Sequence, residues 1–142
     1  MAAFSIGVVI ARPVEDAFAF LSRPENETQW QEDLVESRQT SAGAMGVGAT
    51  GEDVRKSMGR RMVTSWTCTA YEPGRRFAFK VSKPVPFLAE YLFEAMPEGT
   101  RVTMVAEPAG FTRLLWPVIT RAGRKQYEAN FAALKRVLEA EA

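Results

Sequence analysis

The stretch FSIGVVI (residues 4–10) alternates so that Phe4, Ile6, Val8 and Ile10 share one face, the signature of a strand. Pro13 then suits the first position of a helix, where its missing N–H costs nothing. Val14, Ala17, Phe18 and Leu21 follow at helical spacing, and Pro24 opens a second short helix ending near Trp30. From about residue 33 to 107 the period falls to two, punctuated by turn residues. DLVESRQT (33–40), EDVRKS (52–57), RMVTSWTCTAY (61–71), RFAFKVS (76–82), FLAEYLFEAM (87–96) and RVTMVAE (101–107) are the six strands predicted there. Short hairpins are expected to join them, which makes the sheet antiparallel. Helical spacing returns from about Thr112 to Glu141 through Leu115, Ile119, Ala122, Tyr127, Phe131, Leu134 and Leu138. Pro117 is expected to kink or delay the start of this helix, and Gly123 to weaken one turn.

Composition narrows the function. The chain has 142 residues, enough for one domain, and its net charge of +1 gives no general attraction to nucleic acid. No run of 18 apolar residues exists, and no basic stretch precedes the first apolar run, so that run is a strand rather than a signal peptide. A single cysteine, Cys68, excludes internal disulfides and fits a reducing cytoplasm. The chain has no histidine, which removes His-based triads, His metal ligands and an imidazole base. No metal and no cofactor are therefore expected. Acid–base chemistry would fall to Asp, Glu, Lys, Tyr or Cys.

One string argues otherwise. GVGATG (46–51) matches Gly-x-Gly-x-x-Gly, the fingerprint of a dinucleotide-binding turn. That turn needs a strand before it and a helix after it, whereas the following residues form a hairpin. The glycines Gly43, Gly46, Gly48 and Gly51 are instead expected to shape a connection between antiparallel strands, through positive φ or a bulge.

Strand, two short helices, six antiparallel strands and one long C-terminal helix is an α+β order, that of the helix-grip fold. IARPVEDAFAFLSRPENETQWQEDLVES (10–37), YEPGRRFAF (71–79), EGTRVTM (98–104) and NFAALKRVLEA (130–140) resemble the START-like (SRPBCC) superfamily, particularly its polyketide cyclase/dehydrase-like branch. The resemblance covers nearly the whole chain. It implies a curved sheet wrapped around the long helix, with an apolar cavity for a small hydrophobic ligand between them.

Strand parity predicts what faces that cavity. If Phe77 and Phe79 point inward, so do Thr64, Trp66 and Cys68, Tyr91 and Phe93, and Val102 and Met104. The ligand-binding candidates are thus Trp66, Cys68, Phe79, Tyr91, Phe93 and Met104 from the sheet, with Trp116, Ile119, Tyr127 and Asn130 from the helix. Core packing is the default for each of them. Trp66, Cys68, Tyr91 and Asn130 say more, because a polar tip on an inward face needs a partner or a cavity. Glu90 and Glu94 have the opposite parity to Tyr91 and face solvent, which leaves the inward faces without an obvious carboxylate.

Three functions fit this pattern. The first is binding or carriage of a lipid, isoprenoid or polyketide-like molecule. The second is a cyclase, aromatase or dehydratase without metal or histidine, in which Tyr91 positions a carbonyl. The third uses FTRLLWPVIT (111–120) as a contact patch for membrane or partner, with Arg113, Arg121 and Arg124 suited to an anionic surface. The plainer expectation is that 111–120 packs against Val14 and Phe18. Arg60, Arg61, Arg75 and Arg76 are expected to be solubilising charges at hairpin ends.

Overall fold

The computed structural model describes residues 4–57, 59–83 and 85–140. Pro84, in the connection after the fourth predicted strand, and Glu141, the last expected helical position, lie outside them. The strands are β1 (Phe4–Ile10), β2 (Leu34–Gln39), β3 (Thr50–Ser57), β4 (Arg60–Glu72), β5 (Arg76–Lys83), β6 (Phe87–Met96) and β7 (Gly99–Pro108). Helix α1 spans Val14–Leu21, a 3-10 segment spans Pro24–Gln29, and α2 runs Thr112–Ala140. All seven strands form one antiparallel sheet in the order β1-β7-β6-β5-β4-β3-β2. This is a helix-grip architecture, with α2 held in the curve of the sheet.

The ends of α2 are fastened by polar contacts. At its start the Thr112 hydroxyl donates to the carbonyl of Pro86 at 2.7 Å. At its end the Arg12 guanidinium donates to the Leu138 carbonyl at 2.7 Å, and the Lys135 ammonium donates to the Val9 carbonyl at 2.8 Å. The first of these two occupies a last-turn carbonyl that lacks a helical donor, and the second ties the helix to β1. The helix runs unbroken through Pro117.

Aromatic side chains fill the space beneath α1. The Phe18 ring meets Phe93, Tyr71 and Phe77 edge-on at 5.1, 5.5 and 5.7 Å between centroids. Farther along α2, Phe131 meets Trp30 at 5.8 Å, and Leu134 and Leu138 are fully buried. These residues belong to one packed core, and the interior opens beside the earlier part of α2, from Trp116 to Asn130.

GVGATG runs from the connection after β2 into the first two residues of β3, with no helix after it. Gly43 and Gly48 have φ of +89° and +94°, a left-handed backbone that costs other residues energy. Gly46 has neither a positive φ nor a close neighbour, so the expectation is not met there. Gly51 serves a different purpose. It pairs with Trp66 across β3 and β4, and a Cβ on it would overlap the indole and stand 2.6 Å from the Arg38 carbonyl.

Candidate functional site

A cavity of about 450 Å³ opens between the concave sheet face and α2. Its volume falls within the range of small-molecule sites.

One wall is apolar. Phe4 of β1, Val81 of β5, Phe87 and Ala89 of β6, Met104 and Ala106 of β7, and Trp116 and Ile119 of α2 supply it. The facing wall is polar, and it comes from places where hydrophobic periodicity gave no signal. Glu27 projects from the 3-10 segment, Gln31 and Asp33 follow it, and Asp53 and Arg55 stand two apart on β3. The expectation of inward faces without carboxylates is therefore corrected. Parity was counted on strands marked by apolar residues, whereas β3 turns Gly51, Asp53 and Arg55 to one face.

Most of this polar wall is satisfied internally. The Asp53 Oδ1 accepts from the Ser37 hydroxyl at 2.7 Å and from the Trp66 indole N–H at 3.1 Å. The Arg55 guanidinium donates to both Asp33 oxygens at 3.3 Å and pairs with Asp53 Oδ2 at 3.6 Å. Burial works against the charge on Arg55, but the negative charges of Asp33 and Asp53 beside it outweigh that and hold it charged. Glu27 makes no ion pair among the described residues and accepts one hydrogen bond, from Gln31 Nε2 to Oε2 at 3.1 Å. Burial, reinforced by the negative charge of Asp53, pushes its carboxyl up to about 8, so it carries a proton at neutral pH.

The predicted site residues divide in three. Phe79, Tyr91, Met104, Trp116, Ile119, Tyr127 and Asn130 line the cavity. Trp66 and Cys68 line a smaller adjoining pocket of about 30 Å³ that shares Glu27, Asp53 and Phe79 with it. Phe93 belongs to the aromatic packing around Phe18 and touches neither. Some of the polar tips find partners, whereas the buried Trp116 indole N–H has none among the described residues. The Trp66 N–H has Asp53, the Cys68 thiol donates to the Ala70 carbonyl, and the Asn130 carbonyl oxygen accepts from Gln126 at 2.9 Å. Among the described residues the Tyr91 and Tyr127 hydroxyls have no such partner, although burial raises both well clear of ionisation at neutral pH.

Segment 111–120 is also corrected. It does not pack on Val14 and Phe18. Phe18 is covered by Tyr71, Phe77 and Phe93, while the start of α2 lies by Pro86. Helical spacing splits the segment instead. Trp116 and Ile119 turn into the cavity, while Phe111, Leu114, Leu115 and Val118 are 62, 88, 51 and 68% exposed. Arg75 and Arg76, expected to be solubilising charges at a hairpin end, both pair with Glu72, and Arg76 pairs with Glu90 as well.

A curved antiparallel sheet around one long helix is a fold this chain shares with other solved proteins. The family model described as polyketide cyclase / dehydrase and lipid transport matches residues 1–139. The chain belongs to this family. Solved structures of the same fold include protein NE0264 from Nitrosomonas europaea, with a TM-score of 0.82 at 16% identity, covering 98% of this chain and 95% of that one. TTHA0849 from Thermus thermophilus superposes with a TM-score of 0.79 at 15% identity, covering 99% of each chain. Ms6760 from Mycobacterium smegmatis does so at 0.77 and 18%, covering 99% of this chain and 92% of that one. Identities this low speak for the shared fold alone. Among curated proteins, none matches the sequence. No helix among the described residues is long and apolar enough to cross a membrane.

Proposed function

We propose that this member of the polyketide cyclase / dehydrase and lipid transport family binds or carries a small hydrophobic molecule, of lipid, isoprenoid or polyketide-like type. The observation that carries the reading is the cavity of about 450 Å³, with an apolar wall drawn from both the sheet and α2. Apolar area removed from water supplies the affinity, and Phe87, Met104 and Trp116 offer the contact surface. Ala89 tests the reading because it is buried at the middle of that wall. Titration with Nile red, a neutral apolar dye, should give saturable fluorescence enhancement with wild-type protein. Ala89→Trp, which places a large ring in the space, should weaken it at least tenfold while the circular dichroism spectrum stays unchanged. Equal dye binding by both proteins would refute the reading.

A second reading concerns how such a molecule would enter. The exposed residues Phe111, Leu114, Leu115 and Val118 form one apolar face at the start of α2. Residues 109–127 contain Arg113, Arg121, Arg124 and Lys125 and no acidic side chain. An apolar face flanked by cations suits an anionic lipid surface. The opposite face of the same turns, Trp116 and Ile119, lines the cavity, so docking there would place the lipid beside the ligand space. Co-sedimentation with phosphatidylglycerol-containing vesicles should exceed that with phosphatidylcholine alone. Leu114→Glu combined with Val118→Glu should reduce it at least fivefold. Absence of sedimentation with either vesicle removes this reading.

A further inference from the structure

The polar wall of the cavity narrows the class of ligand, on the footing that the cavity binds one at all. We propose that the ligand is uncharged and carries a hydrogen-bond acceptor, a carbonyl oxygen in the simplest case, which sits against Glu27, Tyr91 and Tyr127 while its apolar body lies on the opposite wall.

Most hydrogen-bonding capacity in the polar wall is already spent. Asp53 is occupied by Ser37, Trp66 and Arg55, and Asp33 is occupied by Arg55. Arg55 is the one cation among the described residues lining the cavity, and both of its terminal nitrogens face carboxylates. A carboxylate or phosphate ligand would therefore find no free positive partner. It would meet two aspartates balanced by a single guanidinium, an excess of negative charge.

What remains open is a set of donors. Gln31 holds Oε2 of Glu27, which leaves Oε1 without a partner among the described residues. A protonated Glu27 accepts at Oε2 and donates from Oε1. The Tyr91 and Tyr127 hydroxyls have no protein partner there either, and both line the same cavity. Three neutral O–H groups facing the cavity are best matched by a neutral acceptor. An unmatched buried donor costs more than a made bond returns, so the site discriminates against a plain hydrocarbon as well.

Proton occupancy makes the proposal testable. The charged and titratable groups around Glu27 are Asp33 after its own segment, Asp53 and Arg55 on β3, Tyr91 on β6 and Tyr127 on α2. Glu27 is the group among them that changes state near pH 8, while Tyr91 and Tyr127 stay neutral above it. Preference for an acceptor should accordingly be full at pH 7 and fall as pH rises through about 8.

Three compounds of one skeleton separate the contributions: 2-ethylnaphthalene, 2-acetylnaphthalene and 2-naphthoate, each displacing Nile red. At pH 7 the ketone should bind about tenfold more tightly than the hydrocarbon, the value of one good hydrogen bond, and the carboxylate should be the weakest of the three. At pH 9.5 the ketone's advantage should shrink to about twofold or less, because the remaining tyrosine donors then share the space with a charged Glu27. Glu27→Gln, whose amide donates without titrating, should keep the preference at both pH values, and Glu27→Leu should lose it at both. Tightest binding of 2-naphthoate, or a wild-type ketone preference unchanged at pH 9.5, overturns the proposal. Binding of the hydrocarbon with no ketone preference overturns the proposal and leaves the cavity reading standing. Failure of Nile red and all three compounds to bind overturns both.

Discussion

Replacing Arg55 with Leu should destabilise the protein by about 2–4 kcal/mol, a loss in the range for removing one partner of a buried ion pair. The lower end applies because the Arg55 side chain is 22% exposed and water screens part of the deficit. Two aspartates, Asp33 and Asp53, would lose the cation that pairs with them, while Ser37 and Trp66 would still hold Asp53 in place. For a chain of this length the midpoint of thermal unfolding should fall by roughly 6–15 °C. Adding Asp53→Asn should recover part of that loss, since asparagine still accepts from Ser37 and Trp66 without carrying charge. Differential scanning calorimetry of the two variants decides the point. A loss below about 1 kcal/mol for Arg55→Leu would mean that the pair behaves as a surface one and the polar wall is open to water.

The second large effect is expected at Gly51. Gly51→Ala should cost about 2–4 kcal/mol, the range for overpacking plus a strained hydrogen bond. The new Cβ would overlap the Trp66 indole and approach the Arg38 carbonyl at 2.6 Å. The ring cannot slide away freely, because its N–H is bonded to Asp53 at 3.1 Å. Urea unfolding should show a lower midpoint with an unchanged slope. Shrinking the ring with Trp66→Leu in the same chain should make the combined loss smaller than the sum of the single losses. Additive losses would show that the indole does not press on this backbone.

Gly51 also shows which parts of the architecture were legible. The glycines of GVGATG could be assigned to a strand connection because β4, whose Trp66 and Cys68 alternate with Ser65 and Thr67, follows after a short hairpin. The strands, α1 and α2 were accessible for the same reason: apolar side chains at period 2 or 3.6 record which face is buried against an apolar neighbour. That rule fails where the interior is polar. Asp53 and Arg55 sit on a strand whose one apolar side chain, Val54, has the other parity, so the sequence pattern of β3 points away from the cavity. Glu27 lies in a six-residue 3-10 segment, PENETQ, too short and too polar for any periodic signal. Its proximity to Asp53 arises from packing between segments 26 positions apart. Tyr91 and Asn130 were visible as polar tips on inward faces and Tyr127 by its helical spacing, and the structure places all three at the cavity. Segment 111–120 was visible as an anomaly, but its division into an inward and an outward face required the helical phase of α2.

The central claim, a cavity that holds a small hydrophobic molecule, is tested most directly by native mass spectrometry of the protein purified from its host without denaturation. The expected result is a species heavier than the bare chain by one small molecule, released by organic extraction and missing from Ala89→Trp. A mass equal to the bare chain, together with no uptake of Nile red added afterwards, would contradict it.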